Sequence, residues 1–274
     1  MNINCNGKLI DLSSPKVMGI LNLTPDSFYD GGKYSSDILL LDHVEKMLID
    51  GATFIDIGAY SSRPNAQHIS EEEELNRLIP ILKLIVKEHP EILISVDTFR
   101  SKVATESVAI GACMINDISA GSLDTEMFST MGKLKVPYII MHMKGTPKTM
   151  QVNTNYKDII HEIIVYFSNK INQLRLLGVN DIIIDVGFGF GKTLDQNYKL
   201  LKELSLFKIL DLPILTGISR KSMLYKLLET TPENALNATT VANTVALLNG
   251  TSILRVHDVK EAVEAIKIVA LLKK

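Results

Sequence analysis

Short apolar runs rich in Ile, Val and Leu punctuate the chain. They cover residues 17–23, 54–57, 92–96, 114–118, 138–143, 182–186, 214–218 and 253–256. Most are continuous rather than alternating, the pattern of strands buried on both faces of a parallel sheet. Segments with helical periodicity fill the gaps. Ser70-Glu71-Glu72-Glu73 reads as a capping box, with Ser70 at the N-cap and Glu73 three residues on. The longest helix is predicted over 155–177, stopped by Gly178, and a last amphipathic helix over 259–272. Residues 1–12 alternate polar and apolar and lack the unbroken apolar stretch of a signal peptide.

Eight strand candidates, each followed by a helix, divide the 274 residues into units of roughly 34, an ordinary βα spacing. The rival, a doubly wound open sheet, usually needs fewer strands and often carries a Gly-rich nucleotide turn after the first. Here the first strand ends in Asn22-Leu23-Thr24-Pro25. The expectation is an α/β protein, a single (β/α)8 barrel over 1–274, closed at its bottom by the N-terminal residues. No linker, low-complexity tract or repeat divides it. Hydrophobic residues make up 46% and charged ones 22%, a globular balance. A net charge of −2 disfavours a general nucleic-acid binder. No apolar run approaches the roughly 20 residues that cross a bilayer. Cys5 and Cys113 form no C-x-x-C and no disulfide framework, so the cytosol is the expected compartment. Scattered histidines without H-x-x-x-H argue against a dedicated zinc site.

A barrel places its chemistry at the C-terminal ends of its strands. Those ends carry Asn22, Asp56, Asp97, Asn116 with Asp117, His142, Asp185, residues 219–222, and Arg255 with His257. Asp97 and Asp185 each close an apolar run, and each either caps the next helix or faces a dry pocket. With Asn116 they suit a reader of a flat, N–H-rich heterocycle. A carboxylate accepts two parallel bonds from an aminopyrimidinone edge, and an amide both donates and accepts. Arg255 and His257 are two apart and point the same way, toward either a salt bridge or a phosphate or diphosphate. Ser219-Arg220-Lys221-Ser222 ends a strand and opens a helix, where anions bind. Lys221 and Ser222 suit a carboxylate, and Lys221 also a ring acceptor, against the alternative of a solvated basic turn. The segment is no nucleophile elbow, because Lys221 stands where glycine is needed. Gly187-Phe188-Gly189-Phe190-Gly191-Lys192-Thr193 is no P-loop, because Val186 stands where glycine is needed. It reads as a mobile loop presenting aromatic faces. The polar loops at 22–32 and 61–65 are surface turns or lids. His43, His68, His89, His142 and His161 read as structural or solvated, and the acidic run at 71–74 as a helix N-terminus favoured by the macrodipole.

Seven stretches carry a family resemblance, in order along the strands. They are Met18-Gly19-Ile20-Leu21-Asn22-Leu23-Thr24-Pro25-Asp26-Ser27-Phe28, Ser95-Val96-Asp97-Thr98, Ile115-Asn116-Asp117-Ile118, and Met141-His142-Met143-Lys144-Gly145-Thr146-Pro147. Gly187-Phe188-Gly189-Phe190-Gly191-Lys192, Ser219-Arg220-Lys221-Ser222 and Arg255-Val256-His257-Asp258 follow. The chain resembles the dihydropteroate synthases over nearly its whole length. The resemblance implies a folate-pathway condensation of 6-hydroxymethyl-7,8-dihydropterin diphosphate with 4-aminobenzoate, releasing diphosphate and 7,8-dihydropteroate, with Mg²⁺. It implies pterin contacts from Asp97, Asn116, Met141, Asp185, Lys221 and Arg255. It places diphosphate on Asn22, Ser62, Arg255 and His257, and Mg²⁺ on Asn22. It places aminobenzoate on Phe28, Arg63, Pro64, Phe190, Lys221 and Ser222. Asp30 corresponds to a carboxylate that steadies a developing cation, and Asp30, Asp97, Lys221, Arg255 and His257 are the catalytic set. It also implies a homodimer. The chain departs from the family pattern where Gly58-Ala59-Tyr60-Ser61-Ser62-Arg63-Pro64-Asn65 replaces Gly-Gly-Glu-Ser-Thr-Arg-Pro-Gly, and where Val186 replaces a proline. Two alternatives stand beside it. A methyltetrahydrofolate–corrinoid methyltransferase would share the Asp97–Asn116–Asp185 reader but has no need of Phe28, Lys221-Ser222 and Arg255/His257 together. A non-catalytic pterin-binding paralogue has no use for a diphosphate corner.

Overall fold

The alternating residues at the N-terminus fold as an antiparallel hairpin of β1 (Asn2–Cys5) and β2 (Lys8–Asp11). The structure, a computed structural model, describes residues 1–23, 33–61, 68–147, 149–150 and 154–272. After the hairpin come β3 (Lys16–Asn22), α1 (Lys33–Ile49), β4 (Phe54–Gly58), α2 (Glu71–Glu88), β5 (Ile94–Asp97) and α3 (Ser101–Ile110). The alternation continues through β6 (Met114–Asp117), α4 (Met127–Leu134), β7 (Tyr138–Met141), α5 (Ile159–Leu176), β8 (Ile182–Asp185) and α6 (Leu194–Lys202). A 3₁₀ segment (Leu204–Leu210), β9 (Ile214–Thr216), the short α7 (Ser222–Tyr225), α8 (Leu236–Leu248), β10 (Ile253–Val256) and α9 (Val259–Leu272) complete it. Strands β3 to β10 close into one parallel barrel in sequence order, with β10 returning to β3. Each of the eight apolar runs is a barrel strand, as its continuous hydrophobicity predicts.

Alternate residues on each strand face opposite ways, and the barrel uses the two directions differently. Ile55 and Ile57, Ile94 and Val96, Ile182 and Ile184 pack outward into the large core shared with the helices. Met18, Phe54, Met114, Ile139, Ile183, Leu215 and Ile253 belong to a second, separate cluster inside the barrel. Ile3, Cys5, Ile10 and Leu12 of the hairpin join that inner cluster, so the hairpin stops the bottom of the barrel as expected. No helix among the described residues is long and apolar enough to cross a membrane.

Local signals set the helix starts with some corrections. Ser70 caps α2 by accepting from the Glu73 amide at 3.1 Å, but the Glu73 carboxylate takes Arg77 at 2.7 Å instead of completing the box. Glu74 lies in the acidic first turn of α2, as expected, but does more than face the helix dipole. It is fully buried, accepting from Thr98 at 2.7 Å and paired with Arg100, whose guanidinium also holds the Ile69 carbonyl. The long helix begins at Ile159 rather than 155, because Asp158 accepts from the Ile160 and His161 amides and ends the preceding loop.

Candidate active site

The inward positions that are apolar at the bottom of the barrel turn polar two residues further on. Phe54 is followed by Asp56, Met114 by Asn116, Ile183 by Asp185 and Ile253 by Arg255. Asp97 stands beside Asn116 in the register of β5 and β6, and Met141 beside Asp185 in that of β7 and β8. The strand period therefore collects a polar layer above the apolar one, at the C-terminal mouth.

Asp56 joins this layer together. Its Oδ2 accepts from Arg255 Nε at 2.6 Å and from Asn116 Nδ2 at 3.0 Å. Arg255 Nη2 reaches on to Asp97 Oδ2 at 3.0 Å. The Oδ1 of Asp56 is buried with no hydrogen-bond partner among the described residues, an acceptor left over inside the site. Sequence reasoning named Asp56 as a strand end but gave it no role. Its signal was its parity with Phe54, since a carboxylate on the inward side of an apolar strand must meet a cation or a ligand.

Neither Asp97 nor Asp185 caps a helix. Arg100, at the N-cap of α3, makes no side-chain cap bond. Asp185 Oδ1 instead accepts from the Gly187 amide at 2.8 Å, folding the following loop back over the site. Burial pushes the Asp97 carboxyl up to about 7 against the pull of Arg255, with Asp56 adding to the rise. Burial also raises Asp185, opposed by Lys221. Burial lowers the Lys221 ammonium to about 8, although the Asp185 charge works the other way. Burial works against the charge on Arg255 too, but Asp56 and Asp97 hold it above its ordinary value.

The Lys221 ammonium donates to the Phe188 carbonyl and lies 4.6 Å from the centre of the Phe190 ring. Ser222 is half-buried and opens α7 one residue beyond it. Met141 is 3% exposed in an apolar patch with Phe99, Ile118, Met143 and Met150, against which Phe190 and Tyr60 pack. Asn22 is half-buried at the end of β3, and its side chain bonds to no other described residue. β10 ends at Val256, so His257 lies one residue past the strand. Its Nδ1 is 2.9 Å from Ser219 Oγ, whereas Arg255 turns to the two carboxylates. Arg255 and His257 are thus anchored to different partners. Phe28, Asp30, Ser62, Arg63 and Pro64 lie outside the described residues.

The glycine-rich loop, expected from its composition to be mobile, is tied by hydrogen bonds along its length. Lys192, 4% exposed, donates to the Gly187 and Phe190 carbonyls at 2.8 and 2.9 Å. Asn197 accepts from the Gly189 amide at 2.7 Å, and Tyr156 donates to the Gly191 carbonyl at 3.0 Å. Phe188 is fully buried and belongs to the main core, so only Phe190 presents a face. Lys192 and His142 are the other residues sequence reasoning passed over. The mismatch with a phosphate loop drew attention from a lysine that grips its own loop.

An apolar floor, a carboxylate–amide set for an N–H-rich ring, and lysine, arginine and histidine beside it make a site for a flat heterocycle carrying an anionic group. Independent comparisons agree. The sequence profile of the family described as pterin binding enzyme matches residues 18–257. The dihydropteroate synthase of Escherichia coli K12 is 43% identical over 271 residues, covering 98% of this chain and 95% of that one. The Yersinia pestis dihydropteroate synthase in complex with a sulfonamide drug superposes with a TM-score of 0.93 at 41% identity, over 100% of this chain and 99% of that one. The Xanthomonas albilineans dihydropteroate synthase with 4-aminobenzoic acid gives 0.91 at 34%, over 99% and 98%.

Proposed function

The chain belongs to the dihydropteroate synthase family of pterin-binding enzymes, and on that premise we propose how its residues carry the reaction. It condenses 6-hydroxymethyl-7,8-dihydropterin diphosphate with 4-aminobenzoate, forming the methylene–nitrogen bond and releasing diphosphate. The observation that carries the reading is the inward layer in which Asp56 ties Arg255 to Asn116, with Asp97 at its edge. Asp97, Asn116 and Asp185 read the N–H edge of the pterin. Met141 and its apolar neighbours take one face of the ring, and Arg255 packs on the other. Asn22, Ser62, Arg255 and His257 receive the diphosphate. Phe190, Lys221 and Ser222 hold the aminobenzoate together with Phe28, Arg63 and Pro64.

The chemistry asks for electrostatics more than for a base. A neutral arylamine attacks through its own lone pair, so no group must first take its proton. Arg255 and His257 steady the charge on the departing diphosphate. Asp30 and Asp97 steady the positive charge that the electron-rich pterin accepts at its methylene carbon. Mg²⁺ takes few protein oxygens and completes its shell with phosphate and water. The half-buried Asn22 amide at the mouth suits that habit, and Asn22 is the residue that would hold the ion. When bound, Mg²⁺ neutralises the leaving group.

The chain works in the cytoplasm as a homodimer in this reading. Val241 and Leu248 on α8, with Ile268, Leu271 and Leu272 on the adjacent α9, expose an apolar face that supports it. The test is an assay of the purified protein with dihydropterin diphosphate, 4-aminobenzoate and Mg²⁺, following dihydropteroate. The expected result is product that vanishes without Mg²⁺ and falls when a sulfonamide competes with 4-aminobenzoate. Pterin binding without product would move the paralogue and methyltransferase readings forward.

A further inference from the structure

Lys192 is buried and makes no salt bridge among the described residues; burial lowers its ammonium to about 7, although the charge of Asp185 works the other way. Its ammonium donates to the carbonyls of Gly187, Phe190 and His142, at 2.8, 2.9 and 3.3 Å, and lies 3.2 Å from His142 Nδ1. Removing an ammonium from water is costly unless its donors are satisfied. A loop that needed only to be filled would take an apolar side chain at lower cost. The carbonyl cage does something an apolar residue cannot. It turns the Gly187 and Phe190 carbonyls inward and leaves the Phe188 carbonyl facing the other way, where Lys221 takes it. The loop is a plate gripped by one lysine from within and touched by the other at the site.

The path of the plate is demanding. Gly187 has φ 72°, and a Cβ there would run into the His142 carbonyl oxygen. That oxygen is one of the groups Lys192 holds. The Phe190 ring packs against the Lys221 ammonium and against the apolar patch that includes Met141. Asp97 and Asn116 are tied instead to Arg255 and Asp56, and of the three pterin readers only Asp185 is bonded to the loop among the described residues, through the Gly187 amide.

We propose that Lys192 is a positioning residue for the arylamine half of the reaction: by fixing the Gly187 and Phe190 carbonyls it sets the Phe190 ring and the Phe188 carbonyl that orients Lys221. This rests on the synthase reading above. The prediction is a selective one. Loss of the ammonium loosens the aminobenzoate side more than the pterin side, where Asp97 and Asn116 are held from their strands and only Asp185 and Lys221 touch the loop.

The experiment is Lys192→Met in the full chain, with kinetics at saturating dihydropterin diphosphate and Mg²⁺ and direct titration of dihydropterin diphosphate. The KM for 4-aminobenzoate should rise about tenfold or more, with kcat within about threefold. The affinity for dihydropterin diphosphate should stay within about threefold of wild type. A folded variant with a wild-type KM overturns the proposal. Equal losses toward both substrates also overturn it, by assigning Lys192 to general packing. If the variant does not fold, Tyr156→Phe removes only the donor to the Gly191 carbonyl of the same loop. That change should raise the aminobenzoate KM about threefold, and no change would overturn the proposal. Wild-type turnover in the same assay separates the two levels. An inactive wild type overturns the synthase reading and this one with it, while an active wild type beside an unaffected variant overturns only this one.

Discussion

At the scale of single residues, the site is built from charges that burial disfavours. Asp97 has its carboxyl raised to about 7 by burial, even with Arg255 beside it. A raised carboxylate pKa contributes stability that is fully present below the unfolded value of about 3.9 and is lost as pH rises through 7. Asp97→Asn removes that loss. Its stability relative to wild type should therefore climb between pH 4 and 7, by at most roughly 1.4 kcal/mol per pH unit, and level off above. Urea denaturation of both proteins across that range, without substrates, checks it; a flat difference would refute the assignment. The same change should weaken dihydropterin diphosphate binding at pH 8 by about 1.5–3 kcal/mol, the scale of a charged hydrogen bond. Unchanged affinity would remove Asp97 from the site. Asp97, Asn116, Asp185 and Arg255 were legible in the sequence because each follows an apolar run. Asp56 was not read as functional because its partners lie 60 and 199 residues away, and Lys192 because its near partners are backbone carbonyls with no side-chain signature while His142 lies 50 residues off. No local pattern announces such partners.

At the scale of elements, continuous apolar runs marked every barrel strand, because a strand covered on both faces leaves no polar position to blur the signal. Helix starts were less legible, since they depend on which nearby side chain wins a backbone amide. Asp158 won at α5 and shortened the helix that periodicity alone extended to 155. The 3₁₀ segment Leu204–Leu210 and the four-residue α7 carry too few turns to show a period. Ser70 shows what one cap does here. It accepts from the Glu73 amide, and its carbonyl accepts from Arg100 at 3.2 Å, so it joins the start of α2 to the buried Glu74–Arg100 pair. Ser70→Ala keeps the carbonyl and deletes only the cap. It should lower stability by about 1 kcal/mol, which shifts the melting temperature by roughly 2–4 °C in a chain of this size. Calorimetry would show it, and a melting temperature equal to wild type would mean that the tertiary contacts of Arg100 alone hold the helix start.

At the scale of the whole molecule, the barrel separates what holds it together from what reacts. Ser95 below and Met141 above excepted, the inner positions of its strands are apolar at the bottom, where the hairpin closes them, and polar at the mouth. The two layers are successive inward residues of the same strands, so the interior changes character within one strand repeat. Rigid packing below then fixes the directions of the carboxylates above, because a side chain's direction follows its strand and the strand follows the core. The hairpin is the element to perturb, since it reaches the lower layer and none of the upper. Ile3 is 2% exposed in that cluster, with Phe54 and Ile253 among its members. Ile3→Ala should cost about 2–5 kcal/mol of stability, as other buried truncations do. Its kcat/KM for both substrates should stay within about twofold of wild type well below the melting temperature. Denaturant midpoints together with steady-state rates measure both sides of the claim. A large stability loss with unchanged rates fits a floor that supports the site without shaping it. A matching fall in rate would mean that the lower layer transmits its packing upward, and that the two ends of the barrel are coupled through the strands they share.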